Sequence, residues 1–146
     1  MKENILKIRK QINENTKLVV VTKNQSISNI KKIYSYGERD FGENRVQELI
    51  QKQQVLPSNI NWHLIGRLQS NKVKLIAPFI HLIQSVDSIK LLEKINKYAN
   101  LNNRNIDCLI QIKISSDTAK SGFSIEDALD FFNSNFENHF PHIKIR

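Results

Sequence analysis

Leu18-Val19-Val20-Val21-Thr22-Lys23 is a short apolar, β-branched run in an otherwise polar neighbourhood. Such a run suits a strand buried on both faces, as strands of a parallel sheet are. The residues after it change period. Ile27, Ile30, Ile33 and Tyr34 recur at helical spacing, Ser26 or Ser28 stands ahead of them as a cap, and Gly37 closes the run. Strand followed directly by helix is the repeating unit of α/β folds, and the rest of the chain can be read outward from this one copy.

Upstream, Ile5, Ile8 and Ile12, flanked by Leu6, share one face of an amphipathic helix over 2–14. Downstream, Arg39-Asp40-Phe41-Gly42-Glu43-Asn44 reads as a brief strand leading into a loop, and Val46, Leu49, Ile50 and Val55 as a helix closed by Pro57. Trp62 to Gly66 is strand-like, Ser70 to Ile76 a short helix ended by Pro78, and Phe79 to Val86 another strand. Ser88 caps a helix carrying Ile89, Leu92, Ile95 and Ala99, and Ile106 to Ile114 is the strongest strand. Ser124-Ile125-Glu126-Asp127 resembles a capping box opening a helix to about Asn135, and His142 to Arg146 begins a last strand. The alternation predicts an α/β fold with a parallel sheet, either doubly wound or a (β/α)8 barrel. A complete barrel needs roughly 200 residues or more. The expectation is therefore a partial TIM-type barrel of five to six strand–helix units, with residues 1–146 the N-terminal portion of a single domain.

The formal charge is +8, from 22 basic and 14 acidic residues. The basic residues are dispersed and form no aromatic-basic motif, so the charge reads as background composition rather than as a nucleic-acid surface. No apolar run approaches the roughly 20 residues of a membrane span, and the first residues carry no signal-peptide core. The one cysteine, Cys108, lies in an apolar run and reads as a buried thiol in a reducing compartment. The expectation is a cytoplasmic protein without nucleic-acid or membrane partners.

In parallel α/β folds the reactive groups collect at the carboxyl ends of strands. Here those ends read Thr22-Lys23, Gly42-Glu43-Asn44-Arg45, Gly66 to Asn71, Ser85-Val86-Asp87-Ser88 and Lys113-Ile114-Ser115-Ser116. A lysine flush against apolar strand residues has a partly desolvated stem, which favours the nucleophilic free amine. Read alone, Lys23 is more simply a strand-ending lysine that reaches solvent. Gly42 permits close approach of a ligand, or the loop is ordinary with Asn44 as a helix cap. His63, alternating with Trp62 and Leu64, is most simply a satisfied core histidine. No metal-ligand spacing, phosphate loop or dinucleotide fingerprint stands out.

Taken in order, these segments carry a resemblance. Val20-Val21-Thr22-Lys23, the block from Asp40 to Glu48, the block from Trp62 to Lys72, Ser85 to Ser88, and Lys113-Ile114-Ser115 with Lys120-Ser121-Gly122-Phe123 resemble the YggS/PROSC family of pyridoxal phosphate homeostasis proteins over essentially the whole chain. The resemblance implies a single barrel similar to the N-terminal domain of alanine racemase. It implies that Lys23 holds pyridoxal 5'-phosphate as a Schiff base, that Asn44 lies close to the cofactor, and that His63, Gly66 and Ser85 line the same mouth. It assigns a carrier and regulator of the cofactor with no catalytic residues. A racemase- or decarboxylase-like enzyme, a non-functional fragment and an RNA-binding protein are the alternatives. Two departures from the family pattern are Asn24-Gln25-Ser26 after Lys23, where Thr and a later Pro are usual, and Lys113 in place of Asn. The resemblance also places the family's phosphate-binding Ser/Gly segment past Arg146. The expectation for these residues is thus a covalent anchor without its phosphate cradle, in a protein monomeric when complete, with an open sheet edge as a place for association.

Overall fold

The computed structural model describes residues 1–115 and 121–146, so the expected role of Lys120 lies outside the described residues. In chain order the elements are α1 (Lys2–Gln11), β1 (Val20–Val21), α2 (Ile27–Ser35), β2 (Asp40–Glu43), α3 (Val46–Val55), β3 (Asn61–Leu64), a 3-10 turn (Ser70–Lys72) running into α4 (Val73–Ile76), β4 (Leu82–Val86), α5 (Ile89–Leu101), β5 (Ile106–Ile110), α6 (Ile125–Asn133), α7 (Phe136–His139) and β6 (Ile143–Ile145). Six parallel strands make one sheet in the order β1-β2-β3-β4-β5-β6. A doubly wound sheet reverses its strand order at a switch point, whereas a barrel keeps chain order. The sequential order therefore selects the barrel-type arrangement of the two that the alternation allowed.

The helix starts follow the serines. Ser26, Ser88 and Ser124 each accept a hydrogen bond from the backbone N–H three residues on, at 3.2, 3.4 and 3.0 Å. Arg45, not Asn44, is the N-cap of α3, and no side chain caps that helix. The strands are shorter than their apolar runs. Phe79 and Ile80 are still bonded to the Ile76 carbonyl, so the helical turn continues through Pro78 and β4 begins only at Leu82. β5 ends at Ile110; the Gln111 N–H still donates to the Val86 carbonyl at 2.8 Å, and Ile112 then makes an isolated bridge to Phe123. The expected 18–23 strand contracts to Val20–Val21, because Thr22 already turns back to bond Gln25. No residue of α1 is fully buried, and its firm tie is the Arg9–Glu38 ion pair at 2.6 Å.

The sheet has two distinct faces. Phe41, Leu64, Ile83, Ile106 and Cys108 are fully buried in the apolar core, where the helices pack. The register Gly42–His63–Leu82–Asp107 marks the opposite, inner face. Cys108 has no exposed surface, and burial pushes its thiol up to about 12. An alkylating reagent at pH 8 should accordingly leave Cys108 unmodified in the folded chain and label it fully in denaturant. Mass spectrometry of the two samples checks this, and rapid native labelling would contradict the packing.

Candidate functional site

The turn 22–25 presents Lys23 at the carboxyl end of β1. Lys23 is exposed, as a strand-ending lysine that reaches solvent and not with the desolvated stem of the other reading, because the strand stops before it and the chain turns at Thr22–Gln25. The backbone around it is held on both sides. Before it, the buried Lys52 Nζ donates to the Thr22 carbonyl at 2.8 Å, and the Thr22 hydroxyl donates to Glu43 Oε1 at 2.5 Å. After it, the Asn24 N–H donates to Glu48 Oε2 at 3.2 Å, and the Gln25 N–H closes the turn onto Thr22 O at 3.0 Å. Asn24 has φ 61°, a left-handed conformation that asparagine adopts more readily than most residues.

Behind the turn lies a buried charge pair. Lys52 Nζ stands 2.7 Å from Glu43 Oε1, with Glu43 fully buried and Lys52 nearly so, and 3.4 Å from Glu48 Oε2. Among the described residues Glu43 Oε2 has no hydrogen-bond partner. The Asn24 amide, working against partial burial, and then Lys52 hold the Glu48 carboxyl below its ordinary range. One network therefore runs from α3 through β2 to the residues flanking Lys23. Sequence reasoning missed it. The available signal was a charge on each apolar stripe: Lys52 falls three residues after Leu49 on the buried face of α3, and Glu43 continues the buried run of β2.

Asn44, Gly66 and Ser85 are brought together at the neighbouring strand ends. The Ser85 hydroxyl donates to the Gly66 carbonyl at 2.6 Å. A Cβ on Gly66 would lie 2.3 Å from the Asn44 carbonyl oxygen, so only glycine lets these two backbones touch. The contact links the ends of β2, β3 and β4 in one row. Beside it opens a polar cavity of about 680 Å³ whose walls include Asn44, Arg45, Arg67, Gln69 and Lys72. Arg67 also borders a cavity of about 400 Å³ at the end of β5, with Gln111, Lys113 and Ser121.

His63 lies one layer deeper, paired in register with Gly42 on the inner face and fully buried. Its side chain does not join the row at the mouth. Nε2 stands 3.0 Å from Asp40 Oδ1, and Nδ1 stands 3.0 Å from the Gln84 amide nitrogen. Asp40 can only accept, so the neutral ring donates from Nε2 and accepts at Nδ1. Burial lowers the imidazole below its ordinary range, with Asp40 opposing that shift only in part. For Asp40 the order is reversed: burial raises the carboxyl, and the donors His63, Lys17 and Asn61 outweigh it and leave the net value lowered. His63 is thus a satisfied interior group under the mouth.

The carboxyl ends of the strands thus offer a primary amine on a tied turn at β1, a wall without side-chain bulk at Gly66, and the basic side chains Arg45, Arg67 and Lys72 on the cavity at the ends of β2 to β4, whose charge suits an anion. Comparisons with known proteins show what the chain is similar to. The profile of the alanine racemase N-terminal domain matches residues 1–145. The pyridoxal phosphate homeostasis protein of Haemophilus influenzae is 40% identical over 138 residues, covering 92% of this chain and 57% of that one. Its namesake from Synechocystis is 41% identical over 113 residues, covering 76% and 52%. The chain spans about half the length of the curated relatives it matches. The solved structure of PipY from Synechococcus elongatus with pyridoxal phosphate bound superposes with a TM-score of 0.88 at 33% identity, over 99% of this chain and 67% of that one. Alanine racemase of Clostridium difficile superposes at 0.77 with 16% identity, over 99% and 38%, a likeness of fold alone. Among the described residues no helix is long and apolar enough to cross a membrane.

Proposed function

The chain belongs to the alanine racemase N-terminal domain family, among the pyridoxal phosphate homeostasis proteins, and on that premise we propose that it binds pyridoxal 5'-phosphate through Lys23 and serves the homeostasis of that cofactor in the cytoplasm. The observation that carries this reading is the Lys23 turn: an exposed amine whose two flanking residues are each tied to buried or anchored side chains. The cofactor, when bound, supplies an aldehyde that condenses with a primary amine. Lys23 contributes that amine, and the Thr22–Glu43–Lys52 network fixes the direction from which it reaches into the mouth. Gly66, held by Ser85 and pressed on Asn44, keeps the neighbouring wall close and flat. Asn44 offers an amide at that wall, and His63 with its partners makes the floor.

Binding without turnover is the form of this reading that the side chains favour. A racemase needs two proton-transferring groups on opposite faces of its cofactor. The three tyrosines lie on helices or at a helix end: Tyr34 in α2, Tyr36 at its C-cap, Tyr98 in α5. Tyr34 spends its hydroxyl on Asn59 at 2.8 Å and stacks under Arg39. None is thereby placed as a second base at the mouth.

Borohydride reduction of the chain mixed with pyridoxal 5'-phosphate, followed by peptide mapping, tests the anchor. The label should concentrate on the peptide containing Lys23 and disappear from it in Lys23→Arg. A label spread evenly over the exposed lysines, with Lys23 no richer than the rest, would overturn the assignment.

A further inference from the structure

We propose that Asp40, His63 and His81 form a binding site for one divalent transition-metal ion of the zinc class, on the inner face of the sheet below the Lys23 mouth. The three residues come from different segments: Asp40 opens β2, His63 lies in β3, and His81 directly precedes β4. No sequence spacing announces them, because the parallel crossovers, not a local turn, bring them together. A carboxylate oxygen of Asp40 and one ring nitrogen from each histidine lie within 4.8 Å of one another. Donors sharing a tetrahedral zinc at its usual bond lengths stand about 3.4 Å apart. Asp40 Oδ1 and His63 Nε2 are already 3.0 Å apart, so the remaining adjustment falls on the His81 ring.

That ring is suited to move. It is half-buried, packs against the His63 ring with centroids 5.4 Å apart, and its nitrogens make no hydrogen bond among the described residues. Two imidazoles and one carboxylate favour zinc, cobalt or ferrous iron over magnesium or calcium, which take oxygen ligands. The supporting groups are present as well. Gln84 holds His63 from its far nitrogen at 3.0 Å, and Asn61 donates to Asp40 Oδ1 at 3.3 Å. Lys17, 3.5 Å from the same oxygen and more than half exposed, is free to swing into solvent. Binding requires the Nε2 proton of His63 to shift to Nδ1. Rotation of the Gln84 amide then turns its carbonyl oxygen to accept that proton, so the neutral ring changes tautomer and no net proton is released. Three protein ligands leave a fourth position for water, and the ion would tie β2 and β3 to the start of β4.

Calorimetric titration of the metal-free chain with Zn²⁺, and visible absorption with Co²⁺ as the probe, test the site. The expected result is one equivalent per chain, a ligand-field band, and a higher thermal midpoint with zinc. His81→Ala and Asp40→Asn should each weaken binding at least about 100-fold, and Gln84→Ala about 10–100-fold, the range for a lost supporting hydrogen bond. His139→Ala and His142→Ala, which exhaust the other histidines, should leave it unchanged. The proposal is overturned by an absence of stoichiometric binding, by wild-type affinity in a circular-dichroism-verified His81→Ala, or by loss of binding in His139→Ala or His142→Ala.

Discussion

Lys52→Met should lower the unfolding free energy by about 3–5 kcal/mol, the usual cost of stripping the partner from a buried charge. Lys52 holds Glu43 at 2.7 Å in a region where Glu43 has no exposed surface, and it also satisfies the Thr22 carbonyl. Methionine fills a similar volume but offers no donor, so both acceptors are left behind in the core. The loss should appear as a lower urea midpoint with an unchanged slope. Adding Glu43→Leu should restore more than half of it, because a buried pair replaced as a whole is often close to neutral. An effect of Lys52→Met below about 1 kcal/mol would place the pair in the class of solvent-exposed ion pairs. Thr22 loses its anchor, and the backbone turn that carries Lys23 loses its support on that side.

Gly66→Ala should cost about 3 kcal/mol, the upper end of what an extra methyl does in a packed site. The new Cβ would stand 2.3 Å from Asn44 O and 2.8 Å from Asn44 Cα. These are backbone atoms and cannot rotate away, so the whole row from Asn44 through Gly66 to Ser85 has to open. Gly42→Ala is the comparison. Its Cβ would have side-chain atoms of Ile65 and Val19 as its nearest neighbours, from 3.3 Å, and should cost about 1 kcal/mol or less. Chemical denaturation of both variants gives the ordering, and equal losses at the two glycines would contradict the close approach of β2 and β3 at their carboxyl ends.

The fold was legible because it repeats. Most apolar runs marked strands, Ser88 and Ser124 cap as read, and of the two serines offered for α2 it is Ser26 that caps, while the short helix read from Ser70 opens as a 3-10 turn with no side-chain cap. Strand lengths were overread wherever apolar residues continue into a turn or linker: Leu18 and Val19 precede β1, Phe79 and Ile80 finish a helical turn, and Ile114 past β5 is almost wholly exposed. The short helix α7 was not expected, since Phe136–His139 is only one turn long. At the site, the positions of Lys23, Asn44, Gly66 and Ser85 at strand ends were readable from the alternation, and the structure adds the bonds that join three of them. The exposure of Lys23 agrees with its plain reading as a strand-ending lysine, while the Thr22–Gln25 turn that presents it was not readable. Nor were the Glu43–Lys52 pair and the Asp40–His63–His81 group, whose members meet only through the parallel register. His63 read as a satisfied core histidine on its own residues, and its hydrogen bonds to Asp40 and Gln84 agree with that.

The central claim is that Lys23 is the covalent anchor of a pyridoxal 5'-phosphate site, and a spectroscopic titration meets it directly. Pyridoxal 5'-phosphate added to the chain should produce a visible absorption band that rises with cofactor concentration in the wild type. Lys23→Arg, which keeps the charge but has no condensing amine, should lack that band across the same range. A band of equal strength in the wild type and in Lys23→Arg would contradict the account.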